Sequence, residues 1–245
     1  MSRNMTRRDA LRLWAAATVS CIVGSSMSDA QTLVPATKAV DHLLLGVPDL
    51  DRGIAWVERM TDVKAIIGGS HPGRGTRNAL LSLGGRQYLE IIAPDPAQST
   101  FGFQIDLRKL SEPRLVNWAA ASTDLDGVAK RASAGGQNVS GPRDGSRVTP
   151  AGATLKWRSL AVVNDLASPE VDPIPFFIEW AAGTSHPSET SPKGCQLQSF
   201  AIEHPKPEAI LATLKAIGID ATVTTAPAAR LRATLRTLKG VVTLT

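Results

Sequence analysis

Short apolar runs, separated by turns and capped helices, recur along the chain from residue 39 onward. Residues 39–47 are apolar and rich in branched side chains, which predicts a strand. Asp49 is a suitable N-cap for a helix over about 50–60, where Ile54 and Val57 fall on one face at three-residue spacing. Further apolar runs, the last two flanking a glycine hairpin turn, predict strands over 63–67, 76–83 and 87–92. This segment therefore predicts the order strand, helix, strand, strand, strand.

The same order returns twice, which predicts an α+β fold built from repeats. After a linker over 94–113, the second copy has predicted strands over 115–121, 137–140, 154–163 and 174–180, and a helix that starts at Asp124 and ends near Gly135. A third, shorter copy follows over 196–245, with predicted strands over 197–203, 219–224, 231–236 and 241–245 and a helix over 207–217.

Two polar residues in the repeats fall inside apolar strands. Alignment of the two helix starts places His42 opposite Asn117, and alignment of the final strands places Glu90 opposite Glu179. An unpaired polar group on the buried side of a strand costs a few kcal/mol, so we expect His42 and Glu90 to have a partner. The third copy keeps the order of elements and lacks ligand-type side chains at the matching positions.

The composition narrows the function classes. Hydrophobic residues make up 43% and charged residues 20% of the chain, which is typical of a protein with a real core. Aromatic residues reach only 4%, which argues against a stacking platform for single-stranded nucleic acid. Four arginines and two aspartates in residues 1–30 supply two of the five net positive charges. The weak remaining excess predicts neither a nucleic-acid partner nor a membrane surface.

The first thirty residues have the pattern of an export signal. Arg7 and Arg8 precede an apolar run over 13–23, and small residues end the segment at Ala30. The adjacent arginines resemble the bacterial twin-arginine signal, whose passengers are exported folded. We expect a periplasmic or secreted protein that is cleaved near Ala30 and has no stable membrane insertion afterwards. The alternative is an uncleaved anchor, although the apolar run is short for a bilayer span.

The cysteines exclude a disulfide in the exported chain. Cys21 lies in the predicted signal and leaves Cys195 alone, so a thiolate metal site is excluded as well. Cys195 has no CxxC partner, and we interpret it as a buried structural residue.

The repeats resemble the vicinal-oxygen-chelate superfamily, and within it the glyoxalase-like domain family. The motifs are Asp-His-Leu-Leu-Leu at 41–45, Gly-Thr-Arg-Asn at 75–78, Tyr-Leu-Glu-Ile-Ile at 88–92, Phe-Phe-Ile-Glu-Trp at 176–180 and the His-Pro pair at 186–187. The resemblance covers about 38–245. It implies that two βαβββ modules over 31–183 curl into a half-barrel cleft. A connection over 184–195 then leads to a third module over 196–245.

The resemblance also implies a divalent metal ion in the cleft. Carried over by position, the ligands are His42, Glu90, Asn117 and Glu179, a set that suits Zn, Mn, Ni or Fe. Asn117 departs from the His, Gln or Glu that the family usually has there. The site therefore has either three protein ligands with open positions or no metal at all.

The loop over 71–78 is the second candidate for chemistry. Its residues Arg74, Arg77 and Asn78 are suited to binding an acidic or 2-oxo group of a substrate, with His71 as a proton carrier. The alternative is an exposed loop with solvated arginines. His186, near the expected cleft mouth, is either in reach of a ligand or a simple turn residue.

Two functions follow from the resemblance. The first is a metal-dependent lyase, isomerase or dioxygenase that chelates adjacent oxygens of a small oxygen-rich substrate, with Glu90 or Glu179 moving a proton. The second is a metal-free protein that binds or sequesters a small molecule.

The third unit has an apolar stripe of Leu231, Ala233 and Leu235. We expect this stripe to pack within the chain, with a homodimer as the rival arrangement.

The arginine pair provides a test of export. Changing both Arg7 and Arg8 to lysine should leave precursor in the cytoplasm, because the twin-arginine pathway requires the pair. Fractionation and immunoblotting measure the precursor, with Arg3→Lys and Arg12→Lys as a charge-matched control. Normal export of the double-lysine variant would contradict the twin-arginine route and leave a general secretory route open.

Overall fold

The computed structural model describes residues 32–245, and the export signal predicted over 1–30 lies outside the described residues. The first described elements are short: strand β1 (Val34–Pro35) and helix α1 (Ala36–Ala39).

The first repeat has the predicted order. Its elements are β2 (Val40–Gly46), α2 (Leu50–Thr61), β3 (Ile66–His71), β4 (Thr76–Ser82) and β5 (Tyr88–Pro94). The Asp49 side chain accepts a hydrogen bond from the Arg52 backbone N–H at 2.9 Å and caps α2. Ile54 and Val57 are buried on the inner face of α2 as their spacing predicts.

The second repeat has the same order, and one strand is longer than predicted. After a short 3-10 helix at Leu107–Lys109 come β6 (Arg114–Ala121), α3 (Leu125–Ala134), β7 (Asn138–Val148), β8 (Thr154–Val163) and β9 (Phe176–Trp180). The sequence predicted β7 only over 137–140. Residues 141–148 are mostly polar and exposed, so the ladder with β8 extends the strand where no apolar alternation marks it.

The two repeats form one curled eight-stranded sheet. Its strand order is β3-β4-β5-β2-β6-β9-β8-β7, in which the second half mirrors the first. The first strands of the repeats, β2 and β6, pair antiparallel at the centre, and each pairs in parallel with the last strand of its own repeat. Helices α2 and α3 cover one face with a shared apolar core and leave the other face as a cleft. No helix within residues 32–245 is long and apolar enough to cross a membrane.

The third repeat keeps the order of elements and changes their pairing. Helix α4 (Pro187–Thr190) lies in the connection, followed by β10 (Gln196–His204), α5 (Pro207–Ala216), β11 (Ile219–Asp220), β12 (Thr222–Thr225), β13 (Arg230–Thr237) and β14 (Gly240–Leu244). Its sheet has the order β12-β10-β13-β14, while β11 pairs with β1. The first strand, β10, therefore lies between β12 and β13 and does not pair with the last strand as in the other repeats.

The third repeat packs within the chain. The stripe of Leu231, Ala233 and Leu235 is fully buried and belongs to the same core as the helices of the first two repeats. Phe200 on β10 meets Trp118 on β6 edge to face, with ring centroids 5.0 Å apart. This confirms the expected packing of the stripe within the chain.

Substitution of Phe200 tests this packing. Phe200→Ala should lower the free energy of unfolding by about 3–5 kcal/mol, because it leaves a cavity against Trp118. Val241→Ala is the matched control, since Val241 is 67% exposed on the same sheet, and should change stability by less than about 0.5 kcal/mol. Urea denaturation measures both. Equal losses in the two variants would show that the third repeat is not packed on the first two.

Candidate functional site

The open face of the curled sheet encloses a cavity of about 410 Å³ lined by residues from both repeats. Strand alternation decides which side chains reach it, since neighbouring residues point to opposite faces. On β2, His42 and Leu44 line the cavity, while Leu43 belongs to the core beneath the helices. Tyr88 pairs with His42 in the ladder and stacks on its ring, with centroids 4.6 Å apart.

Glu90 on β5 is a buried carboxylate that lies between two imidazoles. Its Oε2 lies 3.4 Å from His42 Nε2 and its Oε1 lies 3.5 Å from His71 Nε2. Asn78 donates an N–H to Oε1 at 2.7 Å. Burial raises the pKa of Glu90, but His71, His42 and the Asn78 hydrogen bond outweigh burial and lower this pKa below its usual value. Glu90 is therefore ionised at neutral pH although it is only 6% exposed.

His71 is held beside Glu90 in a fixed orientation. Its Nδ1 lies 2.9 Å from Thr76 Oγ1, and Asn78 Nδ2 lies 3.2 Å from its Nε2. A neutral ring that donates from Nδ1 to Thr76 and accepts from Asn78 at Nε2 satisfies both contacts. Burial lowers the pKa of His71, although the Glu90 charge opposes this. The site thus pairs an ionised carboxylate with a neutral imidazole.

Asp41 connects His42 to the second repeat and to the connection after it. A bulge in the β2–β6 ladder between Val40 and His42 turns Asp41 and His42 toward the same group of side chains. Asp41 Oδ1 lies 2.8 Å from His42 Nδ1, and its Oδ2 lies 3.1 Å from His186 Nε2. Trp180 donates its indole N–H to the same Oδ2 at 3.1 Å. Burial opposes ionisation of Asp41, but the hydrogen bonds from His186 and His42 prevail and lower its pKa to about 2.

His186 is a fully buried residue that supports this arrangement. It caps α4, and its Nδ1 lies 2.7 Å from Ser188 Oγ. Its exposure is 0%, and its ring reaches Asp41 without lining the cavity. The structure therefore gives His186 a positioning role behind His42.

The loop over 71–78 divides between the cavity and the opposite face of the sheet. His71, Arg74 and Asn78 line the cavity, as the sequence predicted. Arg77 lies between Thr76 and Asn78 on β4, both of which face the cavity, so its side chain points away. Arg77 Nε is buried without a hydrogen-bond partner among the described residues. Arg77, which was predicted to bind substrate, therefore does not line the cavity.

Glu179, predicted as a metal ligand and catalytic residue, faces the helix side of the sheet. Its neighbours Ile178 and Trp180 line the cavity, so alternation directs Glu179 to the other face. There its Oε1 accepts from Arg158 at 3.0 Å, and its Oε2 accepts from the Leu125 backbone N–H at 3.0 Å. The sequence alignment of the final strands was out of register by an odd number of residues, which in a strand reverses the face.

The four implied metal ligands are therefore not brought together. His42 and Glu90 meet in the cavity, whereas Glu179 does not reach it. Asn117 lines the cavity, but its Oδ1 accepts from the Trp118 backbone N–H at 2.6 Å. In the described part of the chain, no three His, Cys, Asp or Glu side chains are arranged to hold a metal ion. The residues present do not fit the four-ligand site.

Sequence reasoning missed two polar residues of this region. Asp41 lies directly before His42 in an apolar strand, and that charged neighbour was a signal that its carboxylate orients the imidazole. Arg147 lines the cavity from β7, in the polar stretch where no periodicity marked a strand. No local signal in the sequence identified Arg147.

The Asp41 network predicts a pH-dependent contribution to stability. Because the pKa of Asp41 falls from 3.8 to about 2 on folding, its contribution is present above about pH 4 and is lost as the pH falls toward 2. Asp41→Asn should therefore cost about 2 kcal/mol at pH 7 and less at low pH. Denaturant titrations from pH 2 to pH 7, as approximate limits, measure the difference, with the exposed Asp220→Asn as control. A cost that is the same at every pH would contradict this assignment.

Comparison with known proteins agrees with the fold. The sequence profile of the glyoxalase-like domain family matches residues 40–218. A hypothetical protein from Staphylococcus aureus superposes with a TM-score of 0.62 at 18% identity, covering 78% of this chain and 87% of that one, and this likeness shows the fold. Methylmalonyl-CoA epimerase from Mycobacterium tuberculosis gives a TM-score of 0.41 at 21% identity, over 62% of this chain and 92% of the epimerase. Comparison with curated proteins finds no match. The chain belongs to the glyoxalase-like domain family, within the vicinal-oxygen-chelate superfamily.

Proposed function

We propose that the chain is an enzyme of the isomerase or lyase type that moves a proton on a small, oxygen-rich substrate bound in the cleft. The observation that supports this proposal is the Glu90 carboxylate, which lines the cavity and lies between His42 Nε2 and His71 Nε2. A base, a second proton-accepting group and an enclosed cavity are the parts that proton abstraction next to a carbonyl requires.

Glu90 is the proposed base. Its lowered pKa keeps it ionised at neutral pH, so it is ready to accept a proton without a preceding ionisation step. Its burial removes competing water, which strengthens the electrostatic interactions of the carboxylate with a bound substrate. Asn78 holds Oε1 and leaves Oε2 on the side of His42.

His71 and His42 have different proposed roles. His71 has a neutral ring whose Nε2 lies 3.5 Å from Glu90, so it can receive the proton from Glu90 and return it. His42 lies between the carboxylates of Asp41 and Glu90, with its Nδ1 at Asp41 and its Nε2 at Glu90. Once Glu90 has taken up the substrate proton, an N–H at Nε2 is available to a substrate oxygen and stabilises the negative charge that develops there.

The divalent metal implied by the resemblance has no step in this proposal. His42 and Glu90 are the two candidate ligands that meet in the cavity, and the full four-ligand set is not formed. Acid–base chemistry by the side chains already present accounts for their arrangement. Treatment with a chelator tests this part, and we expect it to leave the activity unchanged.

Sequestration of a small molecule without reaction is the second candidate function. A cavity of about 410 Å³ with apolar, aromatic and polar lining residues supports it, since such cavities bind small ligands whether or not they transform them. The two functions differ in whether Glu90 exchanges a proton with the bound ligand.

Proton exchange with solvent distinguishes the two functions. In D₂O, the protein should catalyse replacement of hydrogen next to the carbonyl in one or more of a panel of small 2-oxo and 3-oxo acids, followed by proton NMR. Glu90→Gln should lower this rate by about a hundredfold or more, because glutamine cannot accept the proton. Glu179→Gln is the same chemical change on the opposite face of the sheet and should have little effect.

Three results would each contradict a part of the proposed function. Saturable binding of a panel member without exchange would support sequestration over catalysis. Exchange that is lost with a chelator and restored by Zn²⁺ or Mn²⁺ would contradict the metal-free chemistry. Equal exchange rates in Glu90→Gln and the unaltered protein would remove Glu90 as the base.

A further inference from the structure

Arg147 is a buried cation in the cavity that the proton-transfer scheme does not use. It lies on β7 and is 4% exposed, whereas the rest of that strand is exposed or half-buried. Its Nη1 donates to the Gly68 carbonyl oxygen on β3. Since β3 and β7 are the two outer strands of the eight-stranded sheet, Arg147 bridges the edges of the curled sheet beside the cavity.

A glycine on β3 allows strands β3 and β7 to approach each other closely. A Cβ on Gly69 would lie 2.9 Å from the Val148 carbonyl oxygen, and its φ of +135° favours glycine. A glycine at this position therefore allows β7 to reach β3 and brings Arg147 to the cavity.

The guanidinium has no direct carboxylate contact. Within residues 32–245 Arg147 forms no salt bridge, and its one side-chain hydrogen bond, to the Gly68 carbonyl, uses one of its five N–H donors. Burial lowers its pKa, while the charge of Glu90, which also lines the cavity, acts in the opposite direction without touching it. An anionic ligand in the cavity would give this buried guanidinium the direct charged hydrogen bonds that the protein does not supply.

The rest of the lining indicates what kind of anion fits. Arg74 and Arg143 also line the cavity and are exposed, so they place positive charge where a ligand enters. Part of the wall is aromatic, with contributions from Phe103, Phe176 and Trp157, while polar side chains such as Asn117 and Asp172 line the remainder. One buried guanidinium, in a cavity that the ionised Glu90 also lines, suits a single negative charge better than a phosphate dianion.

We propose that Arg147 binds the carboxylate of the substrate, and that the substrate is a small 2-oxo acid with an apolar or aromatic body. The role of Glu90 in this arrangement rests on the function proposed above. The carboxylate replaces the counter-charge that Arg147 lacks, and the apolar body occupies the aromatic wall.

The chemistry balances without a further reactant. Glu90 takes the proton from the carbon next to the keto group, and the C–H electron pair forms the carbon–carbon double bond of an enolate. The keto oxygen gains the negative charge, which neighbouring donors stabilise. Return of the proton from Glu90 to carbon restores the keto acid, so no oxidant or reductant is consumed.

Binding of phenylpyruvate and its methyl ester tests the assignment. Calorimetry should show that the unaltered protein binds the acid at least about tenfold more tightly than the ester, because only the acid carries the charge. Arg147→Met should weaken binding of the acid by about ten- to a hundredfold and bring it to the level of the ester. Arg147→Lys should fall between them, since lysine keeps the charge and loses the planar fork.

Control measurements distinguish a variant that has lost acid binding from one that has lost its fold. Arg158→Met removes an arginine on the helix face and should leave acid binding unchanged. The thermal midpoint of each variant shows whether it folds, since Arg147 also bonds the Gly68 carbonyl. If both Arg147 variants unfold, the acid-to-ester preference of the unaltered protein decides. Equal binding of acid and ester would overturn the proposal.

The outcomes distinguish this inference from the proposed function. Binding of the acid that depends on Arg147 without deuterium exchange would support the anion site and contradict catalysis. Deuterium exchange that is equally fast with the ester, or in Arg147→Met, would support catalysis and contradict the anion site. Exchange that requires both Glu90 and Arg147 supports both.

Discussion

A carboxylate buried in the floor of an apolar sheet is stable only when neighbouring groups compensate its charge, and the arrangement around Glu90 satisfies this requirement. His42, His71 and Asn78 surround its two oxygens. Their positions depend in turn on outer groups, since Thr76 holds the far nitrogen of His71. The charge of Glu90 is thus compensated by groups that are themselves held in place, although the Asn78 Oδ1 has no hydrogen-bond partner among the described residues.

The two repeats contribute unequally to this cluster. Three of the groups at Glu90 come from the first repeat, on β2, β3 and β4, while the second repeat supplies Arg147 and a mixed wall of apolar and polar side chains. In a chemically symmetric pair of modules, the second repeat would present its own imidazole and carboxylate to the cavity, as His42 and Glu90 do. Asn117 instead bonds the neighbouring backbone, and Glu179 accepts from the Leu125 N–H at the start of α3 on the other face, so the symmetry of the fold is not a symmetry of the chemistry.

The sequence predicted the fold more completely than the site, because locating a helix or strand requires less precision than deciding which of its side chains reach the cavity. Helix caps and apolar periods locate elements to within a few residues, which sufficed for Asp49, Asp124 and the order of all three repeats. A side chain reaches the cavity only if it is counted on the correct side of the alternating strand, and an odd-numbered error of register predicted the wrong face for Glu179. Arg147 required more, since its position depends on the two edges of the sheet meeting, a contact between residues about eighty apart.

The connection between the second and third repeats supports the site from outside the cavity. It runs along the first repeat: Ser188 donates to the Gly85 carbonyl oxygen, and the Pro192 carbonyl accepts from the Ser82 N–H at 2.9 Å. These contacts hold α4 against the sheet and place His186 within hydrogen-bond distance of Asp41. Because Asp41 fixes the Nδ1 side of His42, the orientation of an imidazole in the cavity depends on a segment more than 140 residues later in the chain. The connection is therefore part of the support of the site.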